Sequence, residues 1–410
     1  MGINKMTKYL PLTTMVLFAV AISFPEYLVT MPVFSILYKT VYYGYLLLML
    51  LDFLLLKKKR NHLKKEPVWV AAYFGVLLFS TLLFKGFDIQ LIKSLIKTAI
   101  ITVLVINFLV KYKEYIIGVL FKICVFIGEI GAIINLALII LIPDGLMRTQ
   151  KTGEPMWLYG HKNSLFMYLL ISILASTILY YKKNKERISL RTYVLVSIVL
   201  VSGILSNAGM VIVCAFLLLI LLLLLGNSKI KNKITMAKGV FIPLIINILI
   251  CIFRMQELFS FVIVDILAKN ITLSGRTDIW DAALKYVQMH PVFGVGYLFP
   301  ADLYEMIVLS TTHNWIIGFL FHMGIAGVVL WVVALGHILH RGKVFSKDFI
   351  MKILSIFMFC YLVQGITENI CGPIMELRFF VFLTICCCLP CEKNVHLRFS
   401  RRKIFTKVQR

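Results

Sequence analysis

The sequence predicts an all-α polytopic membrane protein, with about 12 transmembrane helices and a long extracytoplasmic loop before helix 10. Three observations predict this class. The mean hydropathy is +0.91, and only 15% of the residues are charged, against about 25% in soluble domains. Apolar runs of roughly 18 residues or more, enough to cross about 30 Å of hydrocarbon, recur along the chain. We therefore expect one membrane-embedded domain over residues 1–410.

Each apolar run is predicted to be a helix, because irregular backbone cannot face lipid. The first run lacks a good cleavage signal and is followed at once by others, so it is interpreted as an uncleaved helix. The predicted spans are 9–24, 34–56, 67–84, 94–110, 116–142, 164–181, 192–206, 209–226, 240–255, 314–338, 350–368 and 373–390.

The distribution of basic residues predicts the orientation. With the N-terminus inside, the terminal segments and cytoplasmic loops hold 29 of the 43 Lys and Arg residues, and the outside loops hold 8. This is the positive-inside bias, so both termini are expected in the cytoplasm. The net charge of +24 thus reports topology and contact with anionic lipid headgroups. Nucleic-acid binding would need basic residues interleaved with aromatics on one folded surface, so it is not expected.

Two extracytoplasmic loops, 143–163 and 256–313, are long enough to form an active site. In the second, Thr277 is predicted to cap a helix and Asp278 to favour its positive end. His290-Pro291 should end that helix. The Gly294-Val-Gly296 turn either lets the backbone approach a ligand or folds the loop back over the membrane.

Arg276 and His313 are the candidate catalytic residues of the second loop. Arg276 precedes a helix N-terminus, where an anion can bind; the alternative is an arginine that reaches lipid headgroups. His313 offers a neutral imidazole that can accept a proton from a sugar hydroxyl, or it is only an interfacial polar residue. Asn314 either orients His313 or caps the next helix.

Charged residues inside the spans should face the protein interior or a cavity. Lys122 and Glu129 lie seven residues apart on one helical face, so we expect them to pair indirectly. Glu368 and Arg378 lie near the outer ends of the last two helices, where they could border a site.

No metal ion and no cofactor is predicted. His161 and Asn163 in the first loop invite a metal site with His313, but no close carboxylate pair accompanies them, and Mg²⁺ bound to a diphosphate normally needs carboxylates. Arginines at the outer face are the expected charge neutralisers instead.

Three motifs together resemble the O-antigen ligase and Wzy-type polysaccharide polymerase superfamily. They are S-G-R-x-x-I-W at 274–280, H-P-x-x-G-x-G-Y at 290–297, and H-N followed by G-I-x-G over 313–327. The G-H-K-N stretch at 160–163, which opens the sixth span, is similar to that family's G-x-x-N element. The motifs cover about 70 residues, and the span count and orientation extend the resemblance along the chain.

The resemblance implies a metal-independent membrane glycosyltransferase that uses undecaprenyl-diphosphate-linked sugar donors. In that family, arginines of two outside loops are thought to bind the diphosphate, and a histidine activates the acceptor hydroxyl. This implies Arg276 as a diphosphate ligand, Arg148 as a looser match, and His313 as the base. Arg254 is a further candidate from its charge and position. The remaining expected contacts to diphosphate or sugar are Asn314, Trp280, His161 and Asn163.

Three functions stay open at this point. The first is polymerisation of lipid-linked repeat units into capsular or exopolysaccharide at the bacterial cytoplasmic membrane, with a flippase and a chain-length regulator as expected partners. The second is ligase-type transfer to another acceptor. The third is a flippase of the same lipid-linked unit, which would use charges within the spans. Abundant Lys, Ile and Asn are typical of AT-rich genomes, and many such bacteria lack an outer membrane, which favours the first.

Overall fold

The computed structural model describes residues 3–55, 65–149, 153–183, 188–266, 270–273, 275–307, 311–368 and 373–389. Within these ranges the chain is almost entirely helical. The helices are α1 Ile3–Ser23, α2 Glu26–Thr30, α3 Pro32–Leu55, α4 Lys65–Lys85, α5 Ile89–Lys111, α6 Phe121–Leu141, α7 Leu165–Lys183, α8 Leu190–Leu205, α9 Gly209–Leu224, α10 Ser228–Lys231, α11 Met236–Cys251, α12 Arg276–Met289, α13 Pro300–Ile307, α14 Trp315–Val344, α15 Phe349–Gln364 and α16 Pro373–Cys388.

The predicted all-α class is confirmed, and every predicted span falls on a helix. Six helices are long and apolar enough to cross a membrane: Pro32–Leu54, Glu66–Lys85, Ile89–Lys111, Ile116–Leu141, Lys162–Tyr181 and Trp315–Val344. Six further apolar helices in the described residues are 10–17 residues long. The protein is thus a multi-pass membrane protein, while the number of 12 spans stays a prediction.

Side-chain contacts join helix ends that the sequence places on the same side of the membrane. At the predicted inner ends, Lys111 donates to Asp52 over 2.7 Å. At the predicted outer ends, Lys85 donates to Asp302 over 2.9 Å. This pairing supports the alternation of the helices, and the cytoplasmic position of the termini remains a prediction from charge.

The expected pairing of Lys122 with Glu129 is not what the structure contains. Glu129 instead accepts a hydrogen bond of 2.6 Å from Nε of Arg191, at the start of α8. Lys122 is exposed. A neighbouring helix supplied the partner, and spacing along one helix could not reveal it.

The geometry of the second outer loop depends on a break in α14. Gly324 interrupts the helix with φ 57° and ψ −153°, values that only glycine adopts readily. The loop after α12 fills the break: the amides of Val295 and Gly296 donate to the carbonyls of Phe321 and His322 over 2.8 and 2.9 Å. Backbone groups freed by the break are thereby satisfied.

The glycines of this loop are required for close backbone contact. Gly294 and Gly296 both have positive φ, and a Cβ at either would lie closer than 3.0 Å to the backbone of α14 or of α4. The predicted close approach is therefore made to neighbouring helices. It fixes α12 and the following loop onto the outer end of the bundle.

A short antiparallel sheet forms the first outer loop. Its strands are β1 Met147–Arg148, β2 Pro155–Trp157 and β3 Gly160–His161, in the order β1-β2-β3. The amide of Tyr27 in α2 donates to the carbonyl of Leu158 over 3.1 Å, which holds the sheet against the α1–α3 connection. The sheet delivers residues 160–163 to the start of α7.

Candidate active site

Residues of both outer loops converge on the carboxylate of Glu368, four residues after the end of α15. Nη2 of Arg276 donates to Oε1 of Glu368 over 2.7 Å, and Nδ1 of His313 lies 4.0 Å from Oε2. The side chain of Asn163 also hydrogen-bonds this carboxylate. The sequence suggested that Glu368 borders a site, and the structure puts it at the centre of one.

Arg276 is the first residue of α12, and the start of this helix differs from the prediction. Gly275, with φ +79°, is the N-cap and supplies no side-chain cap, whereas the predicted cap, Thr277, is a buried residue of the first turn. Within the described residues the start of α12 thus has no side-chain cap, and an uncapped helix N-terminus favours an anion. Ser274 of the motif lies outside the described residues.

The guanidinium of Arg276 is largely buried, and one of its hydrogen-bond donors has no acceptor among the described residues. Its side chain is only 16% exposed, and a second nitrogen donates to the carbonyl of Leu273 over 3.4 Å. Nε is buried without a hydrogen-bond partner. A buried guanidinium with an unused donor beside a free helix N-terminus is suited to bind a phosphate group.

Trp280 fixes the distance between Arg276 and His313. Its indole is fully buried, and Nε1 donates to the carbonyl of Thr312 over 3.1 Å, directly before His313. The structure therefore favours a positioning role for Trp280 over the predicted contact with sugar.

His313 lies in a left-handed backbone conformation with φ +48°. Such a conformation costs about 1 kcal/mol or more outside glycine and persists only where the surroundings enforce it. Here the flanking residues are fixed, Thr312 by the indole and Trp315 by donation of its amide to the carbonyl of Gly365 over 3.1 Å. The imidazole is held in a strained turn next to Glu368.

Asn314 caps α14 and clamps three elements together. Its Oδ1 accepts from the amide of Ile317 over 2.9 Å. Its Nδ2 donates to Oδ1 of Asn247 and Sγ of Cys251 on α11, and to the carbonyl of Ile366. Asn314 is fully buried, so of the two predicted alternatives the structure supports the cap. Its predicted contact with substrate stays untested.

The environment keeps the His313 imidazole neutral. Burial, the Arg276 cation and His161 together lower the pKa of His313 from 6.5 to about 3. Burial raises the pKa of Glu368, while Arg276 and His161 oppose that rise. We take Glu368 as the carboxylate that pairs with Arg276, because their oxygen and nitrogen atoms are at hydrogen-bonding distance.

The first outer loop contributes a second ion pair beside Glu368. His161 contacts Oε2 of Glu154 over 2.6 Å, and Lys162 donates to Oε1 over 3.0 Å. Burial opposes ionisation of Glu154, but the hydrogen bonds from these two residues prevail and lower its pKa. Gln364 donates to the backbone carbonyl of Asn163 over 3.1 Å, which ties the loop to α15. Sequence reasoning missed Glu154, because the position of this residue depends on pairing of the hairpin strands.

The other two arginines that were predicted to bind diphosphate, Arg148 and Arg254, pair with carboxylates other than Glu368. Arg148 is largely exposed and pairs with Asp144 over 2.8 Å. Arg254 pairs with Asp281, donates to the carbonyl of Thr277 over 3.1 Å and stacks over Trp280. Arg254 therefore braces α12 from the side, and Arg148 stabilises the hairpin. Their proposed contacts with diphosphate remain predictions.

The cluster can bind an anion and receive a proton. The Arg276 guanidinium and the uncapped start of α12 offer donors to an anion, and the neutral imidazole offers a proton acceptor. Among the residues that the structure describes, no group of three or more His, Cys, Asp and Glu side chains is placed to hold a metal ion.

Comparison with known families gives a match to a region that carries Arg276 and His313 of this cluster. Residues 192–332 match the family model Wzy_C, described as O-antigen ligase. The matched segment runs from α8 into α14 and contains Arg276, His313 and both glycine motifs, so the resemblance inferred from the motifs is confirmed. A search of curated proteins gave no match. A search of solved structures gave none either.

Proposed function

Proceeding from the match of residues 192–332 to the O-antigen ligase family, which implies a glycosyl-transferring membrane enzyme, we propose that this chain is a polysaccharide polymerase. It joins undecaprenyl-diphosphate-linked repeat units into capsular or exopolysaccharide on the outer face of the bacterial cytoplasmic membrane. The observation that carries the proposal is the convergence of Arg276, His313 and Asn163, from separate segments, on Glu368.

The proposed reaction is one displacement at the anomeric carbon of the donor glycan. The terminal hydroxyl of the acceptor unit forms the new glycosidic bond to this carbon. The bond between the carbon and the diphosphate oxygen breaks, and undecaprenyl diphosphate leaves with the electron pair. The hydroxyl proton passes to His313, and no metal ion is required for the charge balance.

Arg276 is proposed to bind the leaving diphosphate. Its guanidinium, the unused Nε–H and the uncapped amides of α12 all offer donors to oxygens on which negative charge develops. Glu368 holds the guanidinium in place before the donor arrives, and the diphosphate then competes with this carboxylate for the same cation.

His313 is proposed to be the general base. Burial and the Arg276 cation lower the pKa of His313 to about 3, so its imidazole is neutral near pH 7 and can accept a proton. A bound diphosphate brings negative charge close to the ring, which favours the imidazolium that forms as the proton is transferred.

The lipid-linked glycan of a deletion strain tests the proposal. Loss of a polymerase should leave single repeat units on the undecaprenyl carrier in the outer leaflet, with no long chains. Single units confined to the inner leaflet would instead support a flippase. Long lipid-linked chains that fail to reach their final acceptor would support a ligase. Unchanged long polymer would contradict all three functions.

A ligase-type transfer is the second candidate, because the family is named for it and the same cluster could serve it. Its acceptor would be a different molecule, but the donor and the leaving group would be the same. A polymerase consumes two lipid-linked molecules of one kind, so purified repeat unit should suffice as the only glycan substrate.

A further inference from the structure

A second group of polar side chains lies beside the candidate active site and is not explained by the proposed chemistry. It surrounds Arg378 in α16. The guanidinium of Arg378 lies 3.5 Å from the centre of the Tyr168 ring, and Nη2 donates to the carbonyl of Ile22 over 3.3 Å. Arg378 thus sits where the outer ends of α1, α7 and α16 meet.

The charge of Arg378 is not balanced in the way that other outer-face arginines are balanced. Arg276, Arg254 and Arg148 each pair with a carboxylate. No carboxylate among the described residues lies within 4.0 Å of Arg378. A half-buried cation at the edge of a membrane is costly unless an anion accompanies it.

Unused hydrogen-bonding groups accompany this unbalanced charge. Nη1 of Arg378 and the hydroxyl of Tyr159 are both buried and have no hydrogen-bond partner in the described part of the chain. Burial raises the pKa of Tyr159 and the Arg378 cation opposes the rise, so the hydroxyl lies within the field of the guanidinium. Both groups can donate to an oxyanion, and native proteins rarely leave such donors unpaired.

Glu26 does not neutralise Arg378, because Tyr168 separates them. The Tyr168 hydroxyl donates to Oε2 of Glu26 over 2.8 Å, while the face of the same ring covers the guanidinium. The Tyr168 hydroxyl also accepts a hydrogen bond from Arg378, so Tyr168 lies between the carboxylate and the cation and leaves Nη1 of Arg378 unused.

The group adjoins the Glu368 cluster through the start of α7. Asn163 contacts Glu368 and Tyr168 contacts Arg378. Five residues separate them, which is about 7.5 Å of helix rise. A diphosphate with its first sugar ring can bridge that distance. In contrast, the Glu368 cluster is already neutralised internally, because Arg276 pairs with Glu368 and Lys162 pairs with Glu154.

We propose that Arg378 and Tyr159, with the Tyr168 ring, form a second anion subsite for the lipid-linked glycan. The subsite binds a phosphoryl or carboxylate group next to the one at Arg276. This inference rests on the proposed function for the identity of the substrate. Phosphoryl oxygen would come from the lipid diphosphate, and carboxylate from an acidic sugar of the repeat unit.

Binding of simple probes to the purified full-length protein in detergent tests the subsite without requiring activity. The probes are farnesyl diphosphate, a disaccharide that contains glucuronic acid, and a neutral disaccharide of the same size. We expect Arg378→Gln to weaken binding of one anionic probe by about tenfold or more, the effect of losing a hydrogen bond to a charged group. Weakening of farnesyl diphosphate alone identifies the diphosphate as the source, and weakening of the glucuronide alone identifies the sugar acid.

Matched variants separate this role from a purely structural one. Arg191→Gln removes an arginine at the opposite, predicted cytoplasmic end of the bundle, so it should bind the anionic probes like the wild type. Arg378→Lys keeps the charge, so it should retain more binding than Arg378→Gln at equal thermal stability.

The proposal is overturned if Arg378→Gln binds both anionic probes normally, or if it weakens the neutral probe equally together with a loss of thermal stability. The proposed function fails separately. Normal polymer in a deletion strain would rule out the polymerase function. Anion binding at Arg378 would still be measurable in the purified protein.

Discussion

The two ends of the helix bundle handle their buried polar groups in opposite ways. At the predicted inner end, the carboxylate of Asp52 accepts from Lys111 over 2.7 Å and from the hydroxyl of Tyr112 over 2.6 Å, so both oxygens are satisfied. At the predicted outer end, Nε of Arg276, Nδ1 of His313 and Nη1 of Arg378 are buried and have no hydrogen-bond partner among the described residues.

The difference separates residues that hold the bundle together from residues that await a ligand. A satisfied buried pair contributes to one specific arrangement of helices. An unsatisfied buried polar atom costs free energy, and such atoms lie at the end where we propose that an anion binds. Polar residues of similar type therefore have different roles according to whether their hydrogen bonds are complete.

The largest expected effect is the loss of transfer activity when a charged residue at the outer end is replaced. Replacing Arg276 with Gln should lower the rate of glycan transfer by about 10³-fold, the upper effect of removing one donor to a developing anion. Polymer formed by the purified enzyme in vesicles measures this rate. Loss of the cation that pairs with buried Glu368 should also lower stability, so the rate is expressed per folded molecule. An unchanged rate per folded molecule would mean that Arg276 is only a structural residue.

The break in α14 offers a comparison within one helix. Gly324→Ala should cost several kcal/mol of stability, since its φ and ψ exclude a side chain and a Cβ would lie closer than 3.0 Å to the backbone of the docked loop. Gly336 in the inner half of α14 has open space around it, so Gly336→Ala should be neutral or stabilise by up to about 1 kcal/mol.

Unfolding temperature in detergent measures both glycine variants. Equal temperatures for the two would show that docking of the 291–297 segment does not stabilise the outer end.

Breaking the ion pair between Lys111 and Asp52 at the inner end should lower stability without changing activity. Lys111→Met leaves the buried carboxylate of Asp52 without its cation, which should cost about 3 kcal/mol of unfolding free energy. Activity per folded molecule should not change, because the pair lies at the opposite end from the site. Titration with denaturant and an assay on the surviving folded fraction measure the two effects, and lost activity at normal stability would break the comparison.

The smallest expected effect is the change of the transfer rate with pH. Because the pKa of His313 is lowered to about 3, the imidazole stays neutral, and the transfer rate should not fall between about pH 8 and pH 5 through protonation of His313. The unfolded chain takes up this proton near pH 6.5, so the contribution of His313 to stability is complete above pH 6.5 and is lost as the pH falls toward 3.

A His313→Gln variant should lack that acid-side loss of stability. A wild-type transfer rate that falls with an apparent pKa near 6.5, which the variant abolishes, would contradict the burial of the ring.

Much of the fold was predictable, because transmembrane helices must be apolar throughout and their loops carry a charge bias. The helix at 276–289 and its end at His290 also followed from local signals. The cap did not: Gly275 takes the place predicted for Thr277, since a left-handed glycine allowed the chain to turn earlier. Local sequence could not reveal which backbone the loop glycines approach.

Most residues of the candidate site were predicted from the sequence, but the central role of Glu368 was not. Arg276, His313 and Asn163 were identified from motifs, and the structure brings them together. Glu368 was noticed only as a charge at a helix end, because its partners are 55 and more residues away in the chain. Trp280 and Asn314 turned out to be fully buried, and their side-chain hydrogen bonds, which the sequence does not encode locally, assign them to positioning.

The coupling between Arg276 and His313 tests the central claim most directly. Transfer rates are measured in vesicles that contain lipid-linked repeat unit, for the wild type, Arg276→Gln, His313→Gln and the double variant. If both residues act on one displacement, the double variant should be about as slow as the slower single variant, as in other catalytic units. The account would be contradicted if the fold-reductions of the two single variants multiply in the double variant. It would also be contradicted if either single variant transfers glycan at the wild-type rate.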